Sequence, residues 1–231
     1  MKLLLISNST NAGEEYLRYP LPEIGRFLDG VREIVFVPYA AVTFSYADYE
    51  KKVQTRFAEL GIRVRSVHRA KDPAALVRGA EAICVGGGNT FALAKKMQQQ
   101  GLMTAILRKI KAGTPYVGWS AGSNVCCPTI STTNDMPIVE PESFKAIGAV
   151  KFQINPHYLD ANPEIARQCR TDDGNYYAFP FIRGNEELRV TEGLFIRQDW
   201  LDELGLEIPT TIDEWHTVLT AFKEEKGATA P

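Results

Sequence analysis

The chain has 231 residues, 45% of them apolar and 23% charged, with a formal net charge of -2. That balance belongs to a globular protein with room for a substantial core, not to a disordered or fibrous one. Lys and Arg are mixed among Asp and Glu, so no basic stripe invites nucleic acid or anionic lipid, and no apolar run approaches the roughly 20 residues that span a bilayer.

The first residues, Met1 to Ile6, form a short apolar run that Ser7-Asn8-Ser9-Thr10 ends well short of an export segment. It reads as a buried strand, and the protein as soluble and cytoplasmic. Further Val/Ile/Leu runs at residues 33–38, 63–67, 82–85, 116–117 and 150–154 alternate with amphipathic stretches at 22–28, 46–60, 72–78 and 91–111. This βα rhythm predicts an α/β fold: a mostly parallel sheet with helices on both faces and ligands beyond the C-terminal strand ends. After about residue 160 the rhythm stops. Residues 172–185 are aromatic and turn-rich, and 200–204 and 212–226 read as short helices joined through Pro209. The expected organisation is therefore an α/β domain over 1–160 and an irregular, helical appendage over 161–231. Cys84, Cys126, Cys127 and Cys169 have neither zinc spacing nor the look of a disulfide ladder, which suits a reducing compartment; Cys84 and Cys126 read as buried small hydrophobes. No metal or cofactor is implied.

Gly and Asn gather where the sheet should bind ligands: Asn8-Ser9-Thr10 after the first strand, Gly86-Gly87-Gly88-Asn89-Thr90 after the fourth, and Gly118-Trp119-Ser120-Ala121-Gly122 after the fifth. In G-x-S-x-G the serine occupies a tight strand-to-helix turn, where flanking glycines relieve crowding and leave Oγ exposed. Chance supplies such a pattern on the order of 0.1 times per chain of this composition, so its place between a strand and a helix carries much of the weight. Ser120 is the candidate nucleophile on a strand-turn-helix elbow; the alternative is a tight structural turn. The Ala121 N–H would be one oxyanion donor and Gly88 the second. The competing reading of the glycine run, a phosphate cradle, lacks the P-loop lysine and the dinucleotide spacing.

A serine needs a base. Of three histidines, His68 closes a strand and His216 lies beside Trp215 in the tail, whereas His157 follows a strand and is presented by the turn Asn155-Pro156. His157 is the candidate base. A carboxylate should orient it, and Asp135, in the loop between nucleophile and base, is the candidate, with Asp160 and Glu192 as rivals. An Asp following Asn in a turn serves equally well as a turn or capping residue.

In these residues the sequence resembles the peptidase E family, the aspartyl dipeptidases of serine peptidase family S51. The resemblance is carried by residues 3–10, Val85 to Phe91, Gly118 to Gly122, Pro128-Thr129-Ile130, Thr132 to Val139 and Gln153 to His157. It implies that Ser120 and His157 are nucleophile and base, that Asp135 is an essential acid, and that the substrate is a dipeptide with N-terminal aspartate. The family continues with a loop containing Gly and Glu and with a Pro-Glu-Gly segment whose Glu can complete the triad. Here residues after about 160 resemble instead a fragment of a family 1 extracellular solute-binding lipoprotein, with Thr171 to Pro180, Arg197 to Leu201 and Pro209 to Trp215 carrying the likeness. Glu192-Gly193 could mimic the family's Glu-Gly and so supply a third triad member. Two readings follow: a serine dipeptidase cleaving Asp-Xaa through an acyl-enzyme, as a monomer or homodimer, or an inactive chimera with at most a ligand-binding role through residues 176–181. A glutaminase-like hydrolase would want a cysteine where Ser120 stands.

Overall fold

Five short strands build one sheet: β1 (Leu3–Ile6), β2 (Glu33–Val37), β3 (Arg63–Ser66), β4 (Ala82–Val85) and β5 (Tyr116–Trp119). They lie in the order β1-β5-β4-β2-β3, every pairing parallel. The computed structural model describes residues 1–170 and 196–227. Two compact units, Met1–Gly174 and Asn175–Pro231, divide the chain.

Alternate residues along each strand point to opposite faces, and each face has its own core. Ile34, Phe36, Ala82, Cys84, Val117 and Trp119 face Ile24 of α1 (Leu21–Phe27) and Tyr49, Val53 and Phe57 of α2 (Tyr46–Ala58). Val35, Val37, Ile83, Val85 and Tyr116 cluster with Val77 of α3 (Pro73–Arg78), Leu93 and Met97 of α4 (Thr90–Gln99), and Ile106 and Ile110 of α5 (Leu102–Lys111). Caps fix three of these starts. The Ser45, Asp72 and Asn89 side chains accept from the amides of Asp48, Ala75 and Ala92, satisfying N–H groups that a helix leaves open.

Two expectations are corrected. The single helix read across 91–111 is two, because Gly101 takes a left-handed conformation (φ 64°) and the chain restarts at Leu102. Residues 150–154 do not join the sheet. β1 already occupies the open side of β5, and the backbone of this stretch is satisfied elsewhere. The Val150 amide donates to the Cys126 carbonyl, the Ile154 amide to Cys127 Sγ, and the Ile154 carbonyl accepts from Asn124 Nδ2 and Thr132 Oγ1. An apolar run of this length does not by itself distinguish a sixth strand from extended chain held by side chains.

β5 leads into α6 (Ala121–Asn124), which is seated on the sheet by close backbone approach. A Cβ on Gly122 would lie 2.0 Å from the Val85 carbonyl oxygen. Beyond it come α7 (Tyr158–Ala161) and α8 (Pro163–Cys169). In the second unit, α9 (Gln198–Leu204) and α10 (Ile212–Lys226) pack through Leu201, Val218 and Phe222, and Thr211 and Glu214 form a capping box at the start of α10. The aromatic stretch expected at 172–185 lies outside the described residues. Among the described residues no helix is long and apolar enough to cross a membrane.

The Gly122 contact is backbone against backbone, so it cannot be relieved by rotating a side chain. Gly122→Ala should destabilise the protein by about 3 kcal/mol, at the upper end for overpacking, which lowers Tm by about 6–12 °C in a chain of this size. An unchanged melting curve by differential scanning calorimetry would contradict this seating of α6.

Candidate active site

Ser120 stands where β5 stops, with φ 53° and ψ -117°. A residue with a Cβ holds such a conformation at a cost of about 1–3 kcal/mol, and only where its surroundings impose it. Here they do. The Ser120 amide donates to the Ile6 carbonyl at 3.0 Å, and its carbonyl accepts from Ser123 and Asn124 at 2.9 and 3.0 Å. Ser123 Oγ lies 2.7 Å from the Ile6 carbonyl and 2.8 Å from that of Gly118, and the Tyr116 hydroxyl donates to the Gly122 carbonyl at 2.6 Å. The elbow is thereby fastened to β1 and to its own strand, with Oγ left uncommitted to the scaffold.

His157 is also left-handed (φ 63°). Its amide donates to Ser7 Oγ at 3.0 Å, which ties it to the end of β1. Asn124 Nδ2 and Thr132 Oγ1 hold the Ile154 carbonyl, so α6 grips the segment that presents the histidine. The result is a hydrogen bond between His157 Nε2 and Ser120 Oγ at 2.9 Å. Among the described residues only Leu17, Ser120 and His157 have positive φ without being glycine, and two of these three are bonded to each other.

The glycine loop closes the other side. A Cβ on Gly87 would lie 2.8 Å from Ser120 Cβ, and one on Gly88 (φ 131°) would lie 2.3 Å from the Ala40 carbonyl oxygen. Only glycine lets this backbone approach the serine. Among the described residues, nothing accepts from the amides of Gly88 and Ala121. Ser120, His157, Gly87, Gly88, Asp135 and Lys52 line a shared cleft of about 490 Å³.

Asp135 lines that cleft, but its carboxylate is engaged elsewhere. Oδ2 accepts from the Thr90 amide at 2.7 Å and from Thr133 Oγ1 at 3.0 Å. A carboxylate there complements the positive end of α4, and the structure gives it no hydrogen bond to His157. Glu192 lies outside the described residues, as does the side chain of Asp160. Of the other histidines, His68 follows the edge strand β3, bonds Ser66 Oγ through Nδ1 and does not line this cleft; His216 belongs to the second unit, where it is exposed on α10. Burial lowers the pKa of His68.

Three contributors escaped the sequence reading. Ser7 anchors His157. Lys52 brings a cation to the cleft wall, its Nζ 4.2 Å from the centre of the Tyr16 ring. Tyr49 belongs, with Val53 and Phe57, to the apolar stripe of α2, and that periodicity hides its hydroxyl, which donates to the Gly87 carbonyl.

A family profile described as peptidase family S51 matches residues 3–183. The chain belongs to peptidase family S51. Curated relatives within it include the peptidase E of Nostoc sp. PCC 7120, 52% identical over 161 residues that cover 69% of this chain and 66% of that protein. The peptidase E of Citrobacter koseri is 48% identical over 164 residues, covering 71% of this chain and 72% of that one. The chain thus spans about two thirds of the length of these S51 relatives. Among solved structures, a protein of Listeria monocytogenes EGD-e assigned as a peptidase E aligns with TM-score 0.58 and 24% identity, over 72% of this chain and 86% of that one. A peptidase from an acI-B1 actinobacterium aligns with TM-score 0.52 and 19% identity, over 72% and 73%. At these identities the two structures speak for the S51 fold alone.

The cysteines near the elbow cannot substitute for the serine. Cys126 is buried, which pushes its thiol up to about 12, and burial raises Cys84 and Cys127 as well. The reactive thiolate is therefore scarce at neutral pH. Iodoacetamide added to the folded protein should leave Cys84, Cys126 and Cys127 unmodified in a tryptic mass spectrum. Alkylation of Cys126 without unfolding would contradict the burial described here.

Proposed function

We propose that the protein is a serine-type dipeptidase that hydrolyses dipeptides with an N-terminal aspartate through an acyl-enzyme. The observation that carries this reading is the 2.9 Å hydrogen bond between His157 Nε2 and Ser120 Oγ, held by two strained backbones. In this mechanism His157 takes the proton from Ser120 Oγ as it attacks the peptide carbonyl carbon. The amides of Gly88 and Ala121 receive the oxyanion, and His157 then protonates the leaving amine. Water enters by the reverse sequence and releases aspartate. Asp135 acts here as a brace, coupling the 132–137 loop to α4 beside the glycine loop. Glu192 is the carboxylate we assign to orienting His157, by its resemblance to the family's Glu-Gly. The substrate class rests on the relatives being peptidases E. We take the enzyme to work in the cytoplasm, as a monomer or homodimer, with residues 161–231 an appendage like a solute-binding protein.

An N-terminal aspartate brings a side-chain carboxylate that needs a cation. Lys52 lines the cleft with Ser120, and among the described residues no acidic group pairs with it. We assign it that contact. A hydrogen bond to a charged group contributes about 1.5–3 kcal/mol, so Lys52→Met should raise KM for Asp-Leu at least tenfold with kcat little changed. An unaltered KM would move the contact to another residue.

The reaction itself is tested with a fluorophosphonate and with Asp-Leu. The protein should gain one phosphonyl group at Ser120 and cleave the dipeptide. Ser120→Ala should abolish labelling and reduce kcat on the order of 10⁶-fold, the loss seen when a serine nucleophile is removed. A wild-type protein inert towards both reagents would sink the hydrolase reading.

A further inference from the structure

The Tyr49 hydroxyl lies at the meeting point of three hydrogen bonds. It donates to the Gly87 carbonyl at 3.0 Å, while Trp119 Nε1 and the Tyr16 hydroxyl donate to it, each at 3.1 Å. The directions are forced. An indole N–H can only donate and a carbonyl can only accept, so the bond to Gly87 takes the Tyr49 proton and leaves the Tyr16 hydroxyl as the donor between the two tyrosines. Burial raises the Tyr49 pKa, which keeps that proton in place at neutral pH. The two donors arriving at its oxygen polarise the O–H towards the carbonyl.

The Gly87 carbonyl and the Gly88 N–H belong to one planar peptide group, and no described peptide bond is cis. In a trans peptide these two dipoles point in opposite directions. Fixing the carbonyl therefore fixes the amide. Neither glycine has a side chain to resist rotation of the plane, and Gly88 is in a conformation open to few residues (φ 131°). Something outside the loop has to set its orientation. Tyr49 is pressed close enough to do so, since a Cβ on the preceding Gly86 would lie 2.6 Å from its hydroxyl oxygen.

We infer that Tyr49 is a positioning residue of the hydrolytic site: by holding the Gly87 carbonyl, its hydroxyl aims the Gly88 N–H at the oxyanion. The inference rests on the hydrolase reading above. Trp119 has a part in it, because the residue before the nucleophile donates to the hydroxyl that orders the facing loop. The two halves of the oxyanion site, Ala121 after the serine and Gly88 across from it, are coupled through the Trp119–Tyr49–Gly87 chain.

Tyr49→Phe removes the hydroxyl and keeps the ring, which packs edge-on against Phe36 at 5.0 Å and Phe44 at 5.2 Å. The experiment compares wild type, Tyr49→Phe and Trp119→Phe for Asp-Leu kinetics and for the second-order rate of phosphonylation by a fluorophosphonate. Outright loss of an oxyanion donor costs about 10²–10³-fold in kcat, so loosening one should cost about 10-fold. Tyr49→Phe should lower kcat by that factor with KM within twofold, slow phosphonylation in parallel, and retain a cooperative thermal transition. Trp119→Phe should lower both rates about threefold, and it is the variant read if Tyr49→Phe does not fold. A Tyr49→Phe enzyme with both rates within twofold of wild type, or with its loss confined to KM, overturns the inference. Wild-type protein that is phosphonylated but leaves Asp-Leu intact removes the substrate class only, and Tyr49 is then judged on phosphonylation. Wild-type protein inert to both removes the hydrolase reading and this inference together.

Discussion

Ser120 holds a backbone conformation that few residues with a Cβ adopt, and it can do so because glycines on every side let main chain touch main chain. Gly122 rests on the Val85 carbonyl, Gly118 on Gly122, and Gly87 on Ser120 itself, at distances where any Cβ would collide. That contact sets where α6 begins, how near the glycine loop comes, and where Oγ points. It also determines which residues can be large. Trp119, Tyr49 and Phe36 fill the space beneath the elbow, and the hydroxyl and indole they bring are spent on each other and on Gly87.

The histidine is delivered differently. No strand carries it; the chain from Cys126 to His157 is tied down by Asn124, Thr132, Cys127 and Ser7. The nucleophile is thus placed by the sheet and the base by a hydrogen-bonded loop, and the two meet at 2.9 Å. Asn124 links both, since it lies on the elbow helix and grips the segment before the histidine.

The five strands and the elbow were legible because buried parallel strands read as short apolar runs and because G-x-S-x-G has a steric reason for each glycine. Ser120, His157, Gly88 and Asp135 were all named from pattern, and the structure gathers them along one cleft. What stayed hidden was hidden for physical reasons. Residues 150–154 have the apolar composition of a strand, and only their partners, the Cys126 carbonyl and side chains more than 20 residues away, show otherwise. Asp135 could be recognised as a turn carboxylate, but whether it faces a histidine or caps α4 depends on tertiary packing. Tyr49 and Lys52 sit on a helix whose period announces a core face and a wet face. Periodicity assigns a residue to a face and leaves its polar tip unread.

The proposed chemistry needs a serine and two amides arranged around one carbonyl. A crystal structure of the fluorophosphonate adduct tests this most directly. Phosphorus should be bonded to Ser120 Oγ, with the phosphonyl oxygen about 2.7–3.1 Å from both the Gly88 and Ala121 nitrogens, the distance an oxyanion donor requires. An adduct on another residue, or a phosphonyl oxygen turned away from both amides, would contradict it.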